Sequence, residues 1–258
     1  VADGAVLGGT DRVDDLTLSA NGNHSMNTEA VGGAQATGDS GVAITPVVAI
    51  CVALNDTVAG IGTPDGLAPT TTIEGNLSIQ AVLDSDTRTK AEGDAEGTSA
   101  AVGASLGLGI STDHVVALLE RDFTTTGGSV LLSAMGANAS RTSAKASAAG
   151  ADQDDSGDTS DDDQVNEQND AQRNLAQSRS TEGTGTQATP DAETSDNDGD
   201  GSSDSVSVAA AVAVNIADSD ATASIDGITI VADGSVTLRS GANTDASAEA
   251  DGSTTNGT

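Results

Sequence analysis

One phrase of the sequence occurs four times, and its spacing constrains the fold more than any other feature. The clearest copy reads Gly234-Ser-Val-Thr-Leu-Arg-Ser, and three earlier stretches echo its alternation of apolar and polar residues. The equivalent apolar residues are Leu18, Ile79, Leu132 and Leu238. Their separations are 61, 53 and 106 residues, the last being 53 twice. A fixed period of this size indicates stacked copies of one supersecondary unit.

Each copy holds four segments that alternate with the period of two typical of β-strands. In the last copy they cover 206–216, 221–225, 236–240 and 244–251, with Gly, Asp or Asn in the connecting turns. Helical periodicity is nearly absent from these repeats. The pattern predicts an all-β repeat solenoid, best described as a parallel β-helix with about two coils per repeat. Tandem antiparallel β-sandwich repeats are the alternative, since alternation with one polar face suits them too.

The period also divides the chain, and one segment interrupts it. A long acidic insert with Asp161-Asp-Asp163 accounts for the doubled spacing. The phase match between Val1–Gly4 and Val231–Gly234 leads us to expect an excerpt of a longer array, or a subunit whose ends abut neighbours. The predicted divisions are a partial first repeat at 1–40, repeats at 41–99 and 100–151, the insert at 152–204 and a fourth repeat at 205–258.

Composition limits the partners and the core. The formal net charge is −31, which repels nucleic acid and anionic membranes, so neither is an expected partner. No apolar run is long enough to cross a bilayer, so membrane insertion is not expected. Trp and Tyr are absent and Phe123 is the single Phe, so Val, Ile, Leu and Ala must build the core, with Thr and Gly beside them. The lone Cys51 lies in an apolar run and is predicted to be buried and inert.

The end of the insert carries the only motif with specific chemistry. Alternating carboxylates ahead of Gly201 form the start of a calcium loop, because they aim hard oxygens at one point when the chain curls. Position twelve is Ser207, where an EF-hand has a bidentate Glu, so the pattern favours a calcium loop within a β scaffold. The predicted calcium ligands are Asp196, Asp198, Asp200, Ser202 and Asp204.

Residues that could support catalysis are sparse. The two histidines, His24 and His114, are interpreted as surface residues, and Asp218 and Asp220 as exposed turn carboxylates. A calcium-dependent glycan-active β-helix enzyme is the catalytic alternative, but sugar rings are usually held on aromatic faces that this chain lacks. We therefore predict that the protein is not an enzyme.

The phrases Val-Ala-Val-Asn-Ile, Ala-x-Ala-x-Ile and Gly-x-Val-x-Leu-x-Ser resemble repeats of very large bacterial surface and secreted proteins. These are the leukotoxin-like and filamentous-haemagglutinin-like adhesins. The resemblance covers nearly the whole chain except the insert, and it supplies no catalytic residues. It implies an extracellular or cell-surface β-solenoid whose partners are neighbouring repeats, like subunits or host surface ligands. The expected function is a structural rod segment of an adhesin or fibre, rigidified by calcium. A self-assembling filament subunit with head-to-tail contacts is the second hypothesis.

Overall fold

A computed structural model describes residues 12–37, 41–62, 70–149 and 206–255, and this part of the chain is built from β-strands without a helix. Seven strands are 20 or 21 residues long and three have only three residues. In chain order they are β1 Leu16–Ala36, β2 Val42–Gly62, β3 Thr71–Ile73, β4 Leu77–Gly97, β5 Ala100–Glu120, β6 Phe123–Thr125, β7 Val130–Ala149, β8 Val206–Ile225, β9 Ile230–Ala232 and β10 Val236–Thr255.

The strands form three parallel sheets that repeat in the order of the chain. Sheet 1 is β1-β4-β7-β10, sheet 2 is β2-β5-β8 and sheet 3 is β3-β6-β9. Every neighbouring pair is parallel and is aligned without a slip. The predicted stacking is confirmed residue by residue, because Leu18 pairs with Ile79, Ile79 with Leu132, and Leu132 with Leu238. The described strands therefore show a parallel β-solenoid and not antiparallel sandwich repeats.

Each repeat contributes one long strand to sheet 1, one to sheet 2 and a short strand to sheet 3. The expectation of two coils per repeat is wrong, because each repeat supplies one rung of each sheet. The four predicted segments merge into two strands, since the first and second run on without a turn, as do the third and fourth. Asp218 and Asp220 are exposed as predicted, but they lie within strand β8 and not in a turn.

The core between sheets 1 and 2 is widest next to sheet 3. Large apolar side chains fill this end, and Phe123 of sheet 3 is completely buried among them. Burying a branched apolar side chain contributes about 1.5–3 kcal/mol, so this cluster supplies most of the hydrophobic stabilisation. Its largest members are Ile61, Ile73, Leu77, Ile79, Leu83, Leu119, Phe123 and Leu132.

The opposite end of the core is narrow and is built from Ala, Gly, Ser and Thr. Hydroxyl groups of sheet 2 reach the main chain of sheet 1 directly: Thr45 Oγ1 donates to the Asp94 carbonyl at 2.8 Å and Ser105 Oγ to the Lys145 carbonyl at 2.7 Å. A Cβ added to Gly103 would collide with the carbonyl oxygen of Ser147. Only small side chains fit between the sheets here.

A ladder of polar side chains joins the rungs at the turn before each sheet 1 strand. The main-chain amide of Asn76 donates to Asp15 Oδ1 at 2.6 Å, and that of Ser129 to Asn76 Oδ1 at 3.0 Å. Ser235 continues the ladder to Ser129 Oγ at 3.1 Å. The preceding residue in the upper rungs is glycine, and a Cβ on Gly128 would overlap the backbone of the rung below. The turn residues thus help to set the register of the stack.

Candidate functional site

The predicted calcium ligands lie outside the described residues, as does the whole predicted insert at 152–204. Val1–Gly4, whose phase match suggested a longer array, lies outside them as well. Among the described residues, no group of three or more His, Cys, Asp or Glu is arranged to hold a metal ion. The described part of the chain also contains no helix long and apolar enough to cross a membrane. The calcium loop stays a prediction.

Three single residues from the sequence interpretation have clear positions. Cys51 is buried on the inner face of β2, as predicted. His24 is exposed in β1, at an inward position of the first described rung. His114 is on the outer face of β5, with Nδ1 3.9 Å from Asp56 Oδ1 and Nε2 3.3 Å from Asp220 Oδ2. The three members of this His-carboxylate rung are half-exposed or more, which is consistent with a surface role.

The outer face of sheet 1 is polar and charged. On β4 the outward positions from Asp86 to Glu96 are all charged, and the inward positions between them are Thr, Ala and Gly. This part of β4 thus has a charged outer side and a small-residue inner side. Lys90 lies 2.9 Å from Glu92 and 3.1 Å from Glu29 of the next rung, and hydrogen bonds to these carboxylates raise the pKa of its ammonium group.

The outer face of sheet 2 is apolar over most of its length. Alternate residues of its three strands point away from the core, and in register they form rows of branched side chains such as Ile50–Leu108–Val214 and Val52–Ile110–Ile216. The large residues of the first predicted segment thus point away from the core. The small residues between them, such as Ser and Ala, point into it. The expectation that Val and Ile build the core holds next to sheet 3 and fails here, because the narrow end of the core admits only small groups.

This apolar face has a buried part and an open part. Leu106 and Leu108 of the middle strand are 5% and 3% exposed, and Val208 of β8 is 1% exposed. The equivalent side chains of β2, the edge strand, are 48–71% exposed. We call this open row the β2 stripe; its members are Val42, Ile44, Val48, Ile50, Val52, Leu54 and Val58.

A buried carboxylate lies between the two long sheets, away from the ends of their strands. Asp113 is 2% exposed, and its Oδ1 accepts a hydrogen bond from Asn55 Nδ2 at 2.8 Å. Its Oδ2 accepts one from Asn138 Nδ2 at 2.7 Å and another from the hydroxyl of Ser85. Asn138 Nδ2 also donates to Ser111 Oγ at 2.9 Å. We call these five residues the Asp113 cluster.

The Asp113 cluster is chemically suited to structure rather than to turnover. Its donors come from β2, β4 and β7, so the single carboxylate joins three strands on two sheets. A buried carboxyl group is tolerated when hydrogen bonds replace its hydration, and three donors do so here. The residue is closed off from solvent, and so from any large substrate. Sequence reasoning missed it; the signal was an acid at an inward position of an otherwise small and apolar alternation.

Comparisons with known proteins give no relative for this chain. No protein-family model, no curated protein and no solved structure matches it.

Proposed function

We propose that the protein is a structural rod segment of an extracellular adhesin or cell-surface fibre. The observation that carries the proposal is the in-register parallel stacking of equivalent strands in all three sheets. Such stacking can be extended by any number of further repeats, because each new rung satisfies the backbone hydrogen bonds of the one before it. The resemblance to repeats of giant surface proteins supports the extracellular location.

The strand length and the spacing between strands determine how much each repeat lengthens such a fibre. A strand of 21 residues is about 70 Å long, whereas a further rung adds only about 4.8 Å along the stack. Leu77 and Val130 are partners 53 positions apart, so 53 residues lengthen the structure by one strand spacing. A long fibre of this design therefore needs very many repeats.

Calcium is the second part of the proposal, and it rests on the sequence pattern at Asp196, Asp198 and Asp200, with Ser202 and Asp204 completing the set. A chain of net charge −31 gains stability when a divalent cation neutralises clustered carboxylates. Isothermal calorimetry of the whole chain with calcium chloride tests it, with the double variant Asp198→Asn/Asp200→Asn as the comparison. Loss of a binding isotherm in the variant is expected; equal heats in both proteins would remove calcium from the account.

The rod proposal is tested by adding repeats. Further copies of residues 77–129 are inserted after Ser129, where the junction reproduces the native connection to a sheet 1 strand. Negative-stain electron microscopy should show that ten added copies lengthen one dimension by about 48 Å and leave the strand direction at about 70 Å. Particles that grow in all dimensions, or that separate into independent globules, would contradict a rod.

A further inference from the structure

The β2 stripe is the largest open apolar feature of the described structure. Seven branched side chains alternate along one strand, each about half exposed or more. Together they present on the order of 700 Å² of apolar surface, beyond the 300–600 Å² of the largest patch on a typical monomer. On the outer face of sheet 1, Val82 and its register partner Met135 lie among charged and polar neighbours such as Gln80 and Asp84. An apolar surface of this size marks an interaction site.

Charge is absent from the stripe over most of its length. No charged residue occurs from Val42 to Asn55, although the chain as a whole carries a net charge of −31. The first charge along β2 is Asp56, which lies beside His114, and across the sheet Asp218 of β8 lies in the row of Leu54. Close approach of a second acidic molecule is costly wherever carboxylates face each other, and least costly here. An apolar centre with a polar rim is the usual anatomy of a protein interface.

The form of the surface favours contact through its face rather than through its edge. β2 is the edge strand of sheet 2, so one side of its backbone lacks a strand partner among the described elements. Pro46 lies in this strand and carries no N–H, which discourages the pairing of another strand along that edge. The outward side chains form a row of branched residues along the strand. Such a row can pack against another, as in sheets that pack face to face about 10 Å apart.

We infer that the β2 stripe is the docking surface for the same stripe of a second copy of this chain, so that the solenoid pairs laterally about a two-fold axis. A two-fold contact uses the same residues on both molecules, so one uncharged row is enough to make it self-complementary. Two stripes would bury on the order of 1,400 Å² in total, within the range of about 1,200–2,000 Å² for a stable interface. The proposal goes beyond the rod function: it joins rods side by side, and the axial stacking does not depend on it.

Sedimentation velocity of the whole chain tests lateral pairing, with Ile50→Asp as the variant and Val82→Asp as its matched control. Both replace an outward, partly exposed branched residue of a long strand, but Val82 lies on the charged sheet. The wild type and Val82→Asp are expected at twice 25.0 kDa. The Ile50→Asp variant is expected at the single mass, with an association constant weakened at least about 100-fold by a buried unpaired charge.

A second variant covers the case in which Ile50→Asp fails to fold. The double change Val48→Thr/Ile50→Thr keeps β-branched side chains and adds two hydroxyl groups to the stripe, so folding is expected to be preserved. Its circular dichroism spectrum should match that of the wild type. Its dimer should be weaker and should dissociate at a higher protein concentration than the wild-type dimer does. A wild-type chain that stays monomeric at about 100 μM would overturn the proposal, since interfaces of this size hold at micromolar concentration or below. Co-flotation of such a monomer with phosphatidylcholine vesicles would assign the stripe to a lipid surface instead.

Discussion

Sheets 1 and 2 are both built from alternating strands stacked in register, yet the chemistry of their outer faces is opposite. From Asp84 to Glu96 of β4 the outward residues are charged and the inward ones small, whereas from Val42 to Leu54 of β2 the outward residues are apolar and mostly large and the inward ones are mostly small. Both strands thus place small side chains in the narrow part of the core. The comparison teaches that the space between the sheets selects the inward residues, and that the outward residues are then free to serve interactions.

The strongest test of this comparison overfills the narrow end of the core. In Gly103→Val the new side chain meets the backbone of Ser147, which cannot move without breaking sheet 1. We expect a loss of about 3 kcal/mol or more in the free energy of unfolding. Urea denaturation followed by circular dichroism measures it.

The matched control is Gly33→Val, since a Cβ at the outward-facing Gly33 meets no atom within 4 Å. Its stability should change by less than about 0.5 kcal/mol, because an exposed strand position tolerates a branched residue. Equal losses in the two variants would show that inward and outward positions are assigned wrongly.

The next effect concerns the Asp113 cluster, which joins the faces of sheets 1 and 2 across the core. Asp113→Ala leaves the amide groups of Asn55 and Asn138 and the hydroxyl of Ser85 without their acceptor. Unsatisfied buried donors cost about 1–3 kcal/mol each, so the variant should lose roughly 3 kcal/mol. Adding Asn138→Ala should then cost less than it does in the wild type, which a double-mutant cycle in urea detects. Additive losses would mean that the cluster does not act as a unit.

A smaller pair of effects compares two rungs at one register position. Leu132 is fully buried, whereas its partner Leu238 in the last described rung is 45% exposed. Leu132→Ala should cost about 3 kcal/mol and Leu238→Ala about 1 kcal/mol, in proportion to the apolar area removed from the core. Thermal and urea unfolding of both variants check the ratio. If Leu238→Ala proves as costly as Leu132→Ala, the last rung is buried by a partner in solution.

The smallest effect is on the charged face and depends on pH. Glu92 and Glu29 raise the pKa of Lys90 above its ordinary value of 10.5. A raised pKa of a basic group stabilises the fold below the unfolded-state value and loses that contribution as pH rises through the folded-state value. The melting temperatures of wild type and Lys90→Gln should differ slightly and constantly from pH 7 to pH 9 and converge above pH 10.5. A difference that changes between pH 7 and pH 9 would point to another group.

Much of the fold was predictable because a period is a property of the sequence itself. The alignment of Leu18, Ile79, Leu132 and Leu238 is the observed register, and the class of fold follows from it. Which face is buried was not predictable from the alternation, because a period of two is symmetric between inside and outside. That choice depends on the distance between the sheets, as the Gly103 contact shows.

The short strands and the functional features were harder to foresee for different reasons. Three residues such as Thr71–Ile73 carry too little pattern to distinguish a strand from a turn. The sequence does not distinguish Asp113 from the other acids, because the chain has 40 acidic residues. The donors around Asp113 come from other strands, which only the stacking of the fold brings together. The calcium loop that the sequence does suggest, at Asp196–Asp204, is a separate prediction that calorimetry must test.

The central claim is that equivalent strands stack in parallel and in register, and cysteine cross-linking measures this most directly. In a Cys51→Ala background, Gln80→Cys/Ser133→Cys places two thiols on register partners about 4.8 Å apart, within disulfide reach. Gln80→Cys/Met135→Cys shifts one thiol by two residues, to a diagonal of about 8 Å, beyond the usual Cα separation of a disulfide. The structure predicts rapid oxidation of the first pair and slow oxidation of the second. Faster oxidation of the shifted pair, or equally slow oxidation of both, would contradict in-register parallel stacking.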